Sequence, residues 1–197
     1  MGYGIKEELE ERGSFFSKEL RIDHFRIYKT YVQHVNSLLA ELDAMRKDGR
    51  GGSLLYQERS RRLGFELNGK IFHELYFENL SDDPCTLPSR LERALVDSFG
   101  SIDGWKEDFS SLCMSRGNGW CVLYFDPESS NLFNGFVESN HISIPIQWVP
   151  LMVVDLWEHA YLKDFGAHGR ENFLRSVLMR IDYQKVEERL LEHGKFG

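Results

Sequence analysis

A pair of long helical patterns, separated by a short glycine-rich break, constrains the fold of this chain most strongly. Apolar residues recur at helical spacing over residues 17–48. Glycines within 49–52 end that pattern, and a second helical stretch follows over residues 54–80. Two long helices joined by a short loop pack as an antiparallel hairpin. We therefore expect an N-terminal helical hairpin within residues 1–82, preceded by a mobile or loosely packed arm over residues 1–16.

The pattern changes after residues 81–88, a linker whose prolines no helix interior would accept. Helices are predicted at 89–99 and 102–115, followed by two strands joined by the turn DPESSN. VPLMVVDLW is a third, buried strand, and two more helices follow it. The sequence thus predicts an α+β fold, in which the hairpin of residues 1–82 is followed by a mixed domain over 83–197. That domain would hold a three-stranded antiparallel sheet flanked by helices.

Composition narrows the classes of partner and compartment. A net charge of −7 disfavours nucleic acid as a partner. It also repels small anions unless positive charge is concentrated at the entrance to a binding site. No apolar run approaches the roughly 20 residues that a membrane helix needs, and the charged N-terminus shows no signal peptide. Three cysteines without a CxxC motif favour a reducing compartment over a disulfide framework. We therefore expect a cytoplasmic protein with no membrane or nucleic-acid partner.

The pentapeptide DLWEH, at the end of the third predicted strand, carries the clearest chemical signal. Asp155 ends a strand that otherwise buries what it carries, and a buried carboxylate needs a compensating charge or donors. His159 can converge on the same point if the strand turns into a helix. Asp and His at this spacing fit half of a metal site, and they fit a helix-capping Asp with a packed His equally well.

Two histidines lie among apolar residues of the predicted hairpin, His24 in the first helix and His73 in the second. A lone histidine on an apolar face is more often a hydrogen-bonded core residue than a ligand. A hairpin can nevertheless bring these two together across its interface, as bundle cores do when they bind metals. Tyr31 lies seven residues after His24, a spacing that returns to nearly the same helix face, so its hydroxyl could overhang whatever His24 binds. His34 falls on another face and is expected at the surface.

These candidates lie in segments that resemble the iron/manganese superoxide dismutases, from about Ser17 to the end of the chain. PLMVVDLWEHAYL resembles the family signature around its aspartate and histidine ligands, and NGKIFHELYFENL resembles the stretch with a second histidine. GNGWCVLYFD is similar to the family's glycine-rich approach to a strand, and DYQKVEERL to its C-terminal helix. The resemblance implies one Fe or Mn ion per chain, with water or hydroxide as a fifth ligand. The protein ligands would be His24, His73, Asp155 and His159.

The resemblance also implies roles for residues around the metal. The amide that usually hydrogen-bonds the bound solvent corresponds to His141, and Gly69 occupies the alternative amide position. Tyr31 and His141 would orient the solvent and relay protons. The active site would further be lined by Trp120, Trp157 and Arg170, of which Arg170 would supply positive potential near the substrate channel.

A homodimer is implied as well. Glu158 would reach the partner's His159, and Tyr161 would line the interface. Tyr28 stands where the family has a histidine that reaches across that interface.

The first helix departs from the family pattern, which usually places the tyrosine eight residues after the first histidine. A regular helix would rotate that tyrosine out of line by about 80°, and a one-residue bulge corrects the rotation. Here the interval is seven, which fits a plain helix. An ungapped alignment would instead make Asp23 the ligand. We prefer His24, because a plain helix then keeps Tyr31 over the metal.

The expected activity is dismutation of superoxide to dioxygen and hydrogen peroxide by alternating M³⁺ and M²⁺ states. With neutral histidines and one aspartate, M³⁺ with hydroxide and M²⁺ with water carry the same net charge. Coupling each electron to a proton therefore avoids a charge change in a buried pocket. The alternative is a non-enzymatic binding or scaffold protein with an altered metal site. The ligands do not distinguish iron from manganese.

Overall fold

The N-terminal part of the chain forms the predicted antiparallel hairpin. In the computed structural model, which describes residues 2–193, helix α1 spans Lys18–Lys47 and α2 spans Leu54–Glu78. Each helix begins after a serine, Ser17 or Ser53, whose hydroxyl accepts the backbone N–H three residues on. Among the described residues, no helix is long and apolar enough to cross a membrane.

The N-terminal arm is packed against the hairpin, so the expectation of a loose arm is wrong. Residues Glu7–Glu11 form a short 3-10 helix, and Leu9 and Phe16 are buried in the core. The ammonium of Lys6 donates to the carboxylate of Glu78 on α2 at 2.8 Å. Apolar burial and this ion pair together offset the entropy lost when the arm is ordered.

The rest of the chain confirms the predicted α+β fold with a three-stranded antiparallel sheet. The strands are β1 (Gly119–Phe125), β2 (Leu132–Glu138) and β3 (Val149–Asp155), in the order β2-β1-β3. The helices around the sheet are α3 (Ser89–Phe99), α4 (Ile102–Cys113), α5 (Leu162–Phe165), α6 (Arg170–Leu178) and α7 (Tyr183–His193). Every residue of the central strand β1 is buried. The division into domains at residues 82 and 83 stays a prediction.

Strand pairing brings two functional candidates next to each other. Trp120 on β1 lies opposite Asp155 on β3, and opposite Val137 on β2. The preceding residue, Gly119, has no room for a side chain, because a Cβ there would lie 2.1 Å from the carbonyl oxygen of Val137. This close approach of the strands fixes the register that places Trp120 beside Asp155.

A buried arginine connects the helical hairpin to the sheet. Arg189 on α7 donates to the side-chain oxygen of Asn79 at 2.6 Å and to the carbonyl of Leu151 on β3 at 2.7 Å. It also pairs with Glu78 at the end of α2 at 2.8 Å. The amide of Asn79 donates in turn to the carbonyl of Val153 at 2.6 Å. These bonds hold the end of α2 against β3, next to the strand end that carries Asp155.

Replacing Arg189 with Met should lower the free energy of unfolding by about 2–4 kcal/mol, because it leaves buried acceptors without a donor. Urea unfolding followed by circular dichroism measures this loss. Arg175→Met is the matched control, since the Arg175 side chain is 66% exposed and makes one ion pair along α6 with Glu171. The control should change stability by less than about 0.5 kcal/mol. Equal losses in the two variants would contradict the anchoring role of Arg189.

Candidate metal centre

Four side chains from three parts of the fold converge at the junction of the hairpin and the sheet. His24 lies on α1 and His73 on α2, while Asp155 ends β3 and His159 lies in the 3-10 turn that follows. Their ligand atoms all lie within 4.8 Å of one another. The side chains of the first three are at most 1% exposed, and that of His159 is 24% exposed. The cluster is therefore sheltered, and His159 is its most exposed member.

One carboxylate oxygen lies at the centre of this cluster. Oδ2 of Asp155 is 3.0 Å from Nε2 of His24, 3.0 Å from Nε2 of His159 and 3.9 Å from Nε2 of His73. The other oxygen, Oδ1, accepts the backbone N–H of Trp157 at 2.9 Å. This bond orients the carboxylate, so that a single oxygen faces all three imidazoles.

The donor set fits a metal ion. Nδ1 of His73 donates to the carbonyl of Gly69 at 2.6 Å, which leaves the lone pair on Nε2 pointing into the cluster. Among the described residues, this buried Nε2 has no hydrogen-bond partner. Three imidazoles and one carboxylate are ligands typical of first-row transition metals. A cation bound between them would satisfy the unpartnered nitrogen and balance the buried carboxylate.

Burial sets the protonation states of the cluster. Desolvation lowers the pKa of His73 to about 3 and also lowers the pKa of His24. Burial alone would raise the pKa of Asp155, but the imidazoles of His159 and His24 hold it well below its usual range. The cluster thus combines neutral imidazoles at His24 and His73 with an ionised carboxylate at Asp155, which are the states that bind metals.

The plain geometry of α1 decides between the two alignments of its first histidine. His24 faces the cluster, whereas the carboxylate of Asp23 is 49% exposed and pairs with Arg26 and Lys163 on the outer face. The helix runs without interruption from residue 18 to residue 47. The seven-residue spacing therefore brings Tyr31 onto the same face, with its ring 5.1 Å from the ring of His73.

A buried amide connects Tyr31 to the sheet. Asn140 is fully buried, and its Nδ2 donates to the hydroxyl of Tyr31 at 3.1 Å. Its Oδ1 accepts the indole N–H of Trp120 at 2.9 Å, and the Trp120 ring lies 4.9 Å from that of His73. Burial raises the pKa of Tyr31, although the hydrogen bond from Asn140 opposes the shift. Tyr31 therefore keeps its phenolic proton at neutral pH.

The placement of His141 is corrected by the structure. His141 is exposed and packs against Phe65 at 5.5 Å, while the neighbouring Asn140 points inwards to Tyr31. Ser139 has a φ of 58°, so the chain turns sharply just before this pair. The amide of Asn140 accepts from Trp120 with its oxygen and donates to Tyr31 with its nitrogen. Sequence reasoning missed Asn140, because one residue decides which side chain faces the site.

Gly69 makes room for this hydrogen bond. A Cβ at Gly69 would lie 2.4 Å from Cε1 of Tyr31 and 2.8 Å from Nδ2 of Asn140. Any side chain at this position would displace one of the two groups. The inward direction of Asn140 therefore depends on the absence of a side chain at residue 69.

Trp157 and Arg170, which were also expected to line the active site, make different contacts. Trp157 is half-buried, and its ring stacks on that of His159 at a centroid distance of 6.0 Å. Arg170, also half-buried, donates to the carbonyl of Gly117 at 3.1 Å, in the turn that precedes β1. Trp157 thus borders the cluster directly, whereas one N–H of Arg170 is used by the backbone.

Two of the three interface candidates lie inside the chain. Tyr28 is fully buried and donates to the carboxylate of Glu74 at 2.7 Å, so it has no surface to offer a partner. Tyr161 is 7% exposed and packs on Phe173 at 5.6 Å. Glu158 alone is exposed. The hydroxyl of Tyr28 thus bonds within the hairpin, and the interface itself stays a prediction.

Comparison with known proteins agrees with this geometry. Residues 88–189 match the family described as iron/manganese superoxide dismutases, C-terminal domain. The chain is 30% identical over 170 residues to "Superoxide dismutase [Mn]" of Mycobacterium lepraemurium, covering 85% of this chain and 81% of that protein. It is 32% identical over 142 residues to the protein of the same name from Mycobacterium scrofulaceum, covering 71% and 86% of the two chains. With the corresponding protein of Mycolicibacterium phlei it shares 32% identity over 139 residues, which are 70% and 99% of the two chains.

A helical hairpin on a three-stranded sheet, with three histidines and one aspartate at their junction, offers a donor set suited to one first-row transition metal ion. The chain belongs to the iron/manganese superoxide dismutase family, which is a family of oxidoreductases. The resemblance noted in the sequence is thereby confirmed.

Replacing Gly69 with Ala should lower the free energy of unfolding by about 1–3 kcal/mol, because the new methyl group overlaps Tyr31 and Asn140. Gly64→Ala, on the same helix, is the control, since a Cβ there meets nothing within 4 Å. That variant should instead gain about 0.5–1 kcal/mol from the better helix propensity of Ala. Thermal and urea unfolding of both variants measures the difference, and a gain in both would show that the space at Gly69 is not needed.

Proposed function

We propose that the chain dismutes superoxide at one iron or manganese ion held by His24, His73, Asp155 and His159. The observation that carries this proposal is the unpartnered Nε2 of His73, which faces a carboxylate shared with two further imidazoles. Membership of the family supports the same reaction. The bound metal would supply the chemistry, by exchanging one electron with each superoxide as it alternates between M³⁺ and M²⁺.

The residues of the chain would prepare the site for that exchange. Asp155 supplies one negative charge, and the neutral, buried His24 and His73 add none, so the donor set keeps the buried charge low. Full burial of His73 and Asp155 excludes bulk water from that side. The half-buried Trp157 borders His159 on the more exposed side of the cluster.

Tyr31 would hold a proton for the reaction, which consumes two protons for every two superoxide ions. Its oxygen accepts a hydrogen bond from Nδ2 of Asn140, so its own O–H remains free to donate elsewhere. The N–H of Trp120 fixes the orientation of that amide, because it binds the opposite end. Asn140 takes the role expected of His141, namely to position the groups that meet the bound solvent.

The finer assignments belong to the same proposal. We propose a homodimer, supported by the exposed Glu158 next to His159, the most exposed member of the cluster. A cytoplasmic location is supported by the free thiols of Cys85, Cys113 and Cys121. The rival interpretation, a scaffold with an altered metal site, depended on the altered first helix, and that helix carries His24 into the cluster.

Metal content and activity test the proposal together. After reconstitution with Fe or Mn, the wild type should bind about one ion per chain and dismute superoxide, while His24→Ala should lose metal and about hundredfold or more of the activity. His193→Ala is the matched control, since His193 is exposed at the end of α7. A wild type that takes up neither metal would contradict the proposal and favour the scaffold. Parallel assays with each metal decide which one supports turnover.

A variant of Tyr31 tests proton delivery separately from metal binding. Tyr31→Phe should keep its metal and lose activity by at least about tenfold, since proton transfer by a positioned side chain contributes a large factor to rate. Tyr3→Phe is the control, because Tyr3 is 45% exposed on the N-terminal arm. Full activity in Tyr31→Phe would contradict the proposed proton donor.

A further inference from the structure

An acidic chain needs local positive charge to attract an anion. The net charge is −7, so the average field of the protein repels small anions. Arg170 keeps its positive charge while one N–H is bound to the backbone of Gly117, and its Nε and Nη2 are buried without a hydrogen-bond partner among the described residues. A second arginine, on α2, is better exposed near Tyr31.

A file of aromatic rings leads from the cluster to the surface. The ring of Tyr31 lies 5.1 Å from that of His73, and the ring of Phe65 lies 6.3 Å further on. His141 follows at 5.5 Å from Phe65 and is exposed. Phe65 is also connected to the site through its carbonyl, which accepts from Nδ2 of Asn140 at 3.4 Å. The outer end of this file, at Phe65 and His141, marks a surface position directly linked to Tyr31.

Arg62 covers that position. Its guanidinium lies 4.1 Å from the centre of the Phe65 ring, and its side chain is 55% exposed. Two of its nitrogens, Nε and Nη2, each lie 2.6 Å from Oε1 of Glu66 one helical turn later. Such a two-point contact holds the planar guanidinium in one orientation. The cation is therefore fixed at the outer end of the ring file.

The charges of this group are arranged asymmetrically. The side chain of Glu66 is 3% exposed, so its negative charge is buried beneath Arg62, and Nδ1 of His34 lies 3.3 Å from its second oxygen. His34 is itself 56% exposed. An approaching ion thus meets an arginine and a histidine on the outside, with the carboxylate behind them. The nearby pair of Arg59 and Glu41, at 2.9 Å, is exposed on both sides and adds no net charge.

The charges of Arg62 and Glu66 both influence the pKa of Tyr31. Burial is the main cause of the raised pKa of Tyr31, Glu66 raises it further, and Arg62 on the outer side lowers it by less than Glu66 raises it. Arg62 and Glu66 therefore act on Tyr31 through space, although neither is among its hydrogen-bond partners.

We propose that Arg62, held in place by Glu66, is a steering residue that draws small monovalent anions to the entrance beside Phe65 and Tyr31. The identity of the natural anion, superoxide, rests on the proposed function. The attraction itself is electrostatic, so it acts on any small anion that enters the site. It acts before chemistry, on the rate of encounter, and does not require Arg62 to touch the reacting atoms.

Azide, a small monovalent anion that binds metals, serves as the probe. Its association with the iron(III)-loaded protein is followed by stopped-flow absorption. Arg62→Gln should slow association by about two- to fivefold at low salt, and Glu66→Gln should accelerate it by about the same factor. The double variant should be slower than the wild type, because the wild type presents the cation of Arg62 in front of its buried carboxylate and the double variant presents neither charge. Opposite signs in the two single variants would exclude a merely structural role, which would make both variants slower.

The matched control is Arg61→Gln, which removes the same charge from the neighbouring residue. Arg61 is 78% exposed and pairs with Glu58. It should leave association nearly unchanged, and all differences should fade near 1 M salt, where the Debye length is about 3 Å. Equal effects of Arg61→Gln and Arg62→Gln would overturn the proposal, as would slowing by Glu66→Gln. If Arg62→Gln fails to fold, acceleration or slowing in Glu66→Gln still decides.

Superoxide assays on the same preparations separate this proposal from the proposed function. If the wild type does not dismute superoxide but azide shows the opposite-signed pattern, the proposed function fails and the steering role stands. If superoxide is dismuted but the azide rates do not respond to Arg62 or Glu66, the steering role alone fails. An iron-loaded wild type that binds no azide would overturn the steering role, while the superoxide assay alone decides the proposed function.

Discussion

The buried carboxylate of Asp155 is the constraint on which the rest of the structure depends. A carboxylate with no exposed surface is very costly unless charge or hydrogen bonds compensate it. Two imidazoles at 3.0 Å and one backbone N–H at 2.9 Å surround it, contributed by α1 and by the turn after β3. The third imidazole, from α2, keeps an unpartnered nitrogen 3.9 Å away. The hairpin, the sheet and the turn are therefore held together around one charge, and a bound cation would complete the compensation.

The seven-residue interval in α1 has consequences on both sides of that charge. A plain helix keeps His24, Tyr28 and Tyr31 on neighbouring turns of one face. Tyr31 then meets Asn140 in space that Gly69 leaves open, while Tyr28 turns inwards to bond with Glu74. The seven-residue spacing thus gives Tyr31 and Tyr28 each a hydrogen-bond partner while His24 stays in the cluster.

Much of this arrangement could be predicted from the sequence, and the exceptions have physical causes. The hairpin followed from apolar periodicity and the glycines that interrupt it, and Asp155 stood out because a buried strand ended in a charge. The packed arm was missed because its order depends on a few long-range contacts, such as that of Lys6 with Glu78. The sequence pointed to His141 instead of Asn140, because the positive φ of Ser139 decides which of these two neighbours faces inwards. The cluster of Arg62, Glu66 and His34 joins two helices, and no local sequence pattern predicts a contact between residues so far apart in the chain.

The most direct test of the account is anomalous diffraction from crystals of the protein reconstituted with iron or manganese. The account predicts one anomalous peak per chain, within about 2.0–2.3 Å of Nε2 of all three histidines and Oδ2 of Asp155, as first-row metals require of such donors. A metal bound elsewhere would contradict it. So would a metal-free chain in which Asp155 keeps its 3.0 Å contacts to His24 and His159 after reconstitution.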